Sequence, residues 1–98
     1  MELKISDQAA KWYIDELELP EGAFLRFYAR YGGTSTIQNG FSLGIIHEDP
    51  EAIAAAHIMD TITFYVEEKD AWYFDGHDLL ITFNEKSAEP EFHYKREA

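Results

Sequence analysis

The segment AFLRFYARY, residues 23–31, alternates strictly, and this alternation restricts the fold more than any other pattern in the chain. Successive residues of a strand point to opposite faces of a sheet, so the side chains divide into two sets. One face carries Leu25, Phe27, Ala29 and Tyr31, and the other carries Phe24, Arg26, Tyr28 and Arg30. The segment FSLGIIHE, residues 41–48, also alternates, and Asn39-Gly40 before it is a strong turn dipeptide. Together these patterns predict a β-hairpin with a long tip.

The other patterns predict one longer helix, a short helix and further strands. The first is a helix over 7–17 capped by Ser6. Two strands follow, over 61–66 and 78–84, and the short helix EEKDAWYF and an Asp75-Gly76 turn lie between them. An edge strand in EPEFHYKREA, through Phe92 and Tyr94, comes last. The segment AIAAAHIMD, residues 52–60, is predicted to be a loop with a helical turn, because its alanines favour helix.

Strands dominate this order, and no long βαβ crossover separates them, which argues against a doubly wound parallel sheet. The predicted fold class is α+β, mostly β: a twisted antiparallel or mixed sheet, or a half-open barrel. The N-terminal helix packs on this sheet, and the short helix lies between the last main strands. With 98 residues, the chain is expected to form a single domain over 1–98.

Charge and hydropathy limit the partners of the protein. Nineteen acidic residues against eight Lys and Arg give a net charge of −11, and such a surface repels phosphate backbones. We therefore expect no nucleic-acid binding. No apolar run approaches the ~20 residues that span a bilayer, and the opening MELKISDQAAKWY is too polar for a signal peptide. We expect a cytoplasmic protein that does not bind membranes.

The chain contains no cysteine. This absence excludes disulfides, thiolate nucleophiles and every zinc or iron–sulfur site that uses ligands from cysteines of the chain.

The sequence does not indicate a catalytic site either. The serines Ser6, Ser35, Ser42 and Ser87 lack a GxSxG context, and none of the many carboxylate pairs stands out as an acid and a base. We predict a protein that is not an enzyme and has no cofactor.

The order of elements and several local sequences resemble those of a known family. ITFYVEEKDAWYFDGHDLLITFNE resembles the strand, short helix, Asp-Gly and strand unit of the HesB/IscA-like iron–sulfur cluster biosynthesis domain. ISDQAAKWYIDEL and EGAFLRFYARYGG resemble its N-terminal helix and first strand. The likeness covers nearly the whole chain and is strongest to the short YneR-like branch. It implies the HesB-like fold.

The family's cluster carriers use three cysteines, and this chain departs from that pattern. By position, the first cysteine would fall at about Gly33, and a Cys-Gly-Cys pair would fall within or beyond EFHYKREA. The resemblance therefore implies the fold more strongly than cluster carriage. It also implies other iron–sulfur assembly proteins as partners, and self-association into a homo-oligomer.

Two functional hypotheses follow. The first is a non-catalytic member of the iron–sulfur cluster biogenesis family that binds iron weakly or binds a partner, without a Cys-ligated cluster. The second is a small cytoplasmic binding or regulatory module that keeps the fold and has no iron–sulfur role. Convergence of histidines and acids from different strands in one cleft would favour the first hypothesis, and scattered exposed histidines would favour the second.

The hairpin tip is the first candidate ligand site. Backbone amides and hydroxyls of Gly32, Gly33, Thr34 and Ser35, beside Arg26 and Arg30, could cradle an anion. The alternative, which we favour, is an ordinary tip whose glycines supply positive φ.

Metal ligands and a docking face are the other candidates. His47 and His77, each beside carboxylates, are weak metal-ligand candidates, and solvated surface histidines are the favoured alternative. One face of the first hairpin strand carries a stripe of basic and aromatic residues, Arg26, Tyr28 and Arg30. This stripe either binds a protein partner or is an exposed face whose arginine charges are neutralised by nearby carboxylates. Trp12, Trp72 and Tyr73 pose a similar question, and we expect a tryptophan on a helix of so small a protein to pack on the sheet.

Overall fold

The structure is a computed structural model, and it describes residues 1–96. The elements in chain order are β1 (Leu3–Ile5), α1 (Asp7–Glu16), β2 (Phe24–Thr34), β3 (Asn39–His47), β4 (Ile53–Met59), β5 (Ile62–Glu67), a 3₁₀ helix (Glu68–Phe74), β6 (His77–Asn84) and β7 (Glu89–Arg96).

The strands form two mixed sheets. One sheet has the order β1-β6-β7, with β1 parallel to β6 and β7 antiparallel to it. The other has the order β3-β2-β5-β4, in which β2 and β5 are parallel and both outer pairs are antiparallel. The two sheets do not close into a barrel. The predicted α+β, mostly β class is therefore confirmed. The outer strands are β1 and β7 in the first sheet and β3 and β4 in the second.

The core lies between the inner faces of the sheets and α1. Leu25 and Phe27 of β2 are completely buried there, as the alternation of residues 23–31 predicts for that face. Tyr13 of α1 packs edge-on against Phe27, with ring centroids 5.7 Å apart. The helix begins as predicted, because the Ala9 N–H donates to Ser6 Oγ at 3.2 Å. It ends at Glu16, one residue before the predicted end.

The prediction for residues 52–60 is wrong, because Ile53–Met59 is strand β4. It pairs antiparallel with β5 in a register that runs from Ile53↔Glu67 to Met59↔Ile62. The intrinsic preference of alanine for helix is weak, and pairing with a neighbouring strand overrides it. The short strand β1 was also missed, since three residues that pair in parallel with distant β6 give no periodic signal.

The remaining predicted elements are present. The hairpin of β2 and β3, the strand β5, the short helix and β6 occupy the expected segments, and β6 begins at His77, one residue early. The predicted edge strand is β7, which pairs with β6 through Phe92 and Tyr94. Its last two predicted residues, 97–98, lie outside the described part of the chain. Within residues 1–96, no helix has the length and apolar character needed to cross a membrane.

Candidate functional site

The glycine-rich tip forms a turn that is closed on itself. Gly32 and Gly33 have φ values of 115° and 69°, where side chains are strained, and the pairing of β2 with β3 shifts register there. The Gln38 N–H donates to Ser35 Oγ at 3.1 Å, and the Ser35 N–H donates to the Gln38 carbonyl at 3.2 Å. These bonds occupy the Ser35 amide and hydroxyl, two of the groups that the anion-site hypothesis requires.

Arg26 lies at the other end of β2, so the structure does not bring it to the tip with Arg30. At ~3.3 Å per strand residue, its Cα is roughly 20 Å from that of Gly32. Arg26 Nη2 donates to Asp70 Oδ2 at 2.6 Å, and Nη1 donates to Glu48 Oε2 at 2.7 Å. The Arg26 and Asp70 side chains are only 12% and 10% exposed. The Arg26 guanidinium is therefore bound by two carboxylates of the same chain, whereas Arg30 is exposed.

The environment of Arg26 also fixes its charge. Burial alone would lower the pKa of the guanidinium, but the hydrogen bonds and charges of Asp70 and Glu48 raise it overall. Its guanidinium carbon stands 5.6 Å from the centre of the Tyr28 ring. Tyr28 in turn lies over β3 at Gly44, where a Cβ atom would come within 2.6 Å of the ring. The stripe of Arg26 and Tyr28 is thus packed within the molecule.

A second buried polar group holds the loop between β3 and β4. The Glu67 carboxylate is buried and accepts hydrogen bonds from the N–H groups of Glu51 at 2.7 Å and Ala52 at 3.0 Å. Burial alone would raise the pKa of Glu67, but these two donors, with Arg26 and Lys69, lower it overall. The Tyr65 hydroxyl donates to the Glu48 carbonyl, and burial, with nearby carboxylates, raises the pKa of Tyr65 to about 12. These contacts fasten the loop to β5.

The histidines are dispersed. His47 is exposed at the end of β3, and His77 Nδ1 lies 2.8 Å from the Phe74 carbonyl and 3.1 Å from that of Asp75. His93 Nε2 is 2.9 Å from Thr82 Oγ1 on the outer face of the other sheet. Across residues 1–96, no three His, Asp or Glu side chains are grouped so that they could hold a metal ion. The convergence that would favour an iron-binding role is not seen in that part of the chain.

An exposed aromatic patch, formed by Tyr31, Phe41 and Trp72, was not anticipated. The Tyr31 and Phe41 rings are 5.6 Å apart, and those of Phe41 and Trp72 are 5.0 Å apart, both edge to face. Tyr31 is 85% exposed and Trp72 is 50% exposed. The alternation groups Tyr31 with Leu25 and Phe27 on one face of β2, but those two are buried and Tyr31 is exposed. Trp72 packs on the sheet through Phe41 of β3 and stays half exposed, whereas Trp12 is half-buried against the core.

A cleft of about 440 Å³ separates the edge strands β3 and β7. One wall carries the hydroxyls of the hairpin tip together with Ser42 and Leu43, and the other carries side chains of β7 from Glu91 to Tyr94. A second cleft of about 660 Å³ lies between β1 and β4 and includes Leu3, Ile5 and Ala55 among its lining residues. Of the predicted tip residues, Thr34 and Ser35 thus line an open slot between β3 and β7, and Gly32 and Gly33 do not.

Comparisons with known proteins cover most of the chain and point to one family. Residues 1–94 match the model of a family described as iron-sulphur cluster biosynthesis. A Bacillus subtilis (strain 168) protein named pyruvate dehydrogenase inhibitor is 45% identical over 97% of this chain and 100% of its own length. An uncharacterized protein of Staphylococcus saprophyticus is 38% identical over 87% of this chain and 90% of its own. An uncharacterized Staphylococcus aureus (strain MRSA252) protein is 32% identical over 98% of this chain and 99% of its own. No solved structure matches.

Proposed function

We propose, from the premise that this chain belongs to the iron–sulphur cluster biosynthesis family, that it is a non-catalytic, protein-binding inhibitor of pyruvate dehydrogenase. One observation carries the proposal. The Bacillus subtilis protein with that name is 45% identical to this chain, and the match includes its entire length. The proposed place of action is the cytoplasm, and the proposed partners are proteins.

The chemistry of the chain supports action by contact. It has no cysteine, so it supplies no thiolate to a cluster. At the position where the resemblance places the first cysteine of the carriers, Gly33 has positive φ and faces Ser42, whose Oγ would lie 3.4 Å from an added Cβ. The fold is therefore retained without the ligands that cluster transfer uses. The exposed aromatic patch supplies a surface of the kind that proteins use to bind one another.

A role in iron–sulphur assembly, with iron held weakly by histidine and carboxylate side chains, is the second candidate. Membership of the family supports it. The dispersed histidines of residues 1–96 weigh against it, because weak ligands bind a metal well only when several converge. We therefore rank inhibition of pyruvate dehydrogenase first.

The test is a titration of the purified protein into pyruvate dehydrogenase from the same organism. The rate of pyruvate oxidation should fall with added protein and level off when the binding sites are filled. Heat-unfolded protein at the same concentration controls for the effect of adding a strongly acidic polymer. A rate that stays constant up to a large molar excess of folded protein would refute the proposal.

A further inference from the structure

We propose that the partner is received at the free edge of β3 beside the aromatic patch of Tyr31, Phe41 and Trp72, and that it supplies an extended segment rich in lysine or arginine. This segment would pair with β3 as an added strand. The inference builds on the proposed function because it takes the partner to be a protein. It does not depend on that protein being pyruvate dehydrogenase.

The first argument is that β3 lacks the features that normally protect an edge strand. Natural edges carry charges or proline, which prevent pairing with other chains. The nine residues of β3, NGFSLGIIH, contain no Asp, Glu, Lys, Arg or Pro. Among the other outer strands, β7 has the sequence EPEFHYKR and carries both kinds of protection. Strand β4, IAAAHIM, is also uncharged, but it contacts β1 of the other sheet. An uncharged edge is notable in a chain in which 28% of the residues are charged.

The second argument concerns the space beside β3. In an antiparallel pair, alternate residues direct their N–H and C=O groups away from the neighbouring strand. An added strand would lie about 4.8 Å from β3, and the cleft between β3 and β7 borders β3 at Ser42 and Leu43. Ser42 and Leu43 form its near wall, and Phe92 and Tyr94 contribute to the far wall. A segment that pairs with β3 would therefore also contact β7.

The third argument concerns the aromatic patch, which adjoins this edge because Phe41 belongs to β3. The patch is already fixed in position. Phe41 packs on Trp72, and Gln38 Nε2 donates to the Tyr73 carbonyl at 3.4 Å, which ties the hairpin to the 3₁₀ helix. Tyr73 itself is completely buried. Tryptophan and tyrosine dominate binding hot spots, and a surface that does not reorganise loses less free energy on binding.

The fourth argument identifies the occupant by charge. The net charge of −11 favours a partner segment of opposite sign, whereas a second copy of this chain would bring the same negative charge. Acidic residues also stand close to the proposed site. Asp49 follows the end of β3 by two residues, and Glu91 lines the far wall of the cleft. Glu48 is already paired with Arg26, and the exposed Arg30, opposite Ser42, is the cation on the neighbouring strand. A basic segment is therefore a better match than self-pairing.

The first test uses a synthetic peptide as long as β3 that alternates Lys and Val. Added to the ¹⁵N-labelled protein, it should shift the backbone amides of residues 39–47 and the indole N–H of Trp72. A Lys/Gly peptide of equal charge, which has little tendency to form a strand, should shift them much less. A Glu/Val peptide should not bind.

Three results would overturn the inference. One is the absence of any shift, and another is shifts that scatter over the acidic surface equally with both basic peptides. The third is a concentration-dependent dimer in sedimentation experiments whose interface is β3, because the occupant would then be a second copy. None of these measurements involves pyruvate dehydrogenase, so their outcome is independent of the proposed function.

The second test measures binding of variants to pyruvate dehydrogenase. Tyr31→Ala removes an exposed ring of the patch, and Ser42→Lys places a positive charge beside the edge. Each should weaken binding by about tenfold or more. The controls are Ile58→Ala, another exposed apolar side chain, on β4, and Ser87→Lys, in the turn between β6 and β7. These controls should bind like the unaltered protein.

The two proposals can fail separately. If the unaltered protein inhibits the enzyme and all four variants bind equally well, the docking surface is refuted and the proposed function stands. If the unaltered protein does not bind the enzyme, the proposed function is refuted, and the peptide titration alone decides the docking surface.

Discussion

Arg26 and Arg30 lie on the same face of one strand, yet their side chains have different roles. Arg26 bonds to Asp70, 44 residues away, and to Glu48, 22 residues away. Arg30 is exposed. The sequence predicts that the two arginines share a face, but it does not reveal distant carboxylates as partners of one of them. The anion-binding role considered for both arginines therefore remains a prediction only for Arg30 and the tip.

Substitution of the two arginines should separate these roles. Arg26→Met leaves Asp70, which is 10% exposed, without its cation. We expect the free energy of unfolding to fall by about 3 kcal/mol, because an unpaired buried charge is costly. Arg30→Met, on the same strand face, should change it by less than about 0.5 kcal/mol. Urea denaturation of the unaltered protein and the two variants measures both changes in the free energy of unfolding. Equal losses for the two variants would show that the ion pairs of Arg26 do not stabilise the fold.

Glu67 gives a prediction for acid stability. Its pKa in the folded protein lies below the ordinary value of 4.5, so its ionised form stabilises the fold above that pH. This contribution is lost as pH falls below 4.5 through the lowered pKa. The stability difference between the unaltered protein and Glu67→Gln should therefore be largest near pH 7 and should narrow as the pH is lowered below 4.5. Denaturation at several pH values tests this, with the exposed Glu85→Gln as control. A difference that stays constant with pH would contradict it.

Among the elements, the hairpin of β2 and β3 was predictable and β4 was not. Strict alternation and the Asn39-Gly40 dipeptide are local signals, and they specify the hairpin without knowledge of the rest of the chain. For β4, the local alanine preference points to helix, and the decisive interaction is pairing with β5. The position of Trp72 shows the same limit. Trp72 is half exposed and contacts Phe41 of the hairpin, 31 residues earlier in the chain, which no local pattern indicates.

The turn between β6 and β7 offers a test at the scale of an element. Asn84 Oδ1 accepts hydrogen bonds from the N–H groups of Lys86 at 2.9 Å and Ser87 at 3.2 Å, and Ala88 follows with a φ of 55°. A left-handed conformation costs an L-residue roughly 1–2 kcal/mol, a cost that glycine avoids. Ala88→Gly should therefore raise the free energy of unfolding by about 1 kcal/mol. Ser87→Gly, where φ is not positive, should lower it or leave it unchanged. Thermal and urea unfolding would show the contrast, and a loss of stability in Ala88→Gly would contradict the assigned geometry.

For the whole molecule, the resemblance and the strand patterns together predicted the fold class, because both describe the order of elements along the chain. They did not predict the slot between β3 and β7. That slot depends on which strands become sheet edges, which is set by pairings between distant segments. The proposed docking surface therefore combines predictable and unpredictable parts. The uncharged sequence of β3 is visible in the chain, but its position at an open edge requires the three-dimensional structure.

The missing cysteines give a prediction for the molecule as a whole. After anaerobic incubation with ferrous iron and sulfide, followed by desalting, the protein should retain neither in stoichiometric amount, because thiolates are the usual ligands of iron–sulfur clusters. A parallel sample receives iron alone. Retention of iron without sulfide would indicate a site of histidine and carboxylate ligands, and His47→Ala and His77→Ala would then show which of the two histidines contributes. Retention of both iron and sulfide would mean a cluster held by other ligands, and the prediction would be wrong. Loss of both, together with inhibition of pyruvate dehydrogenase by the same preparation, is the outcome we expect from a protein that keeps the family's fold and acts by binding a partner.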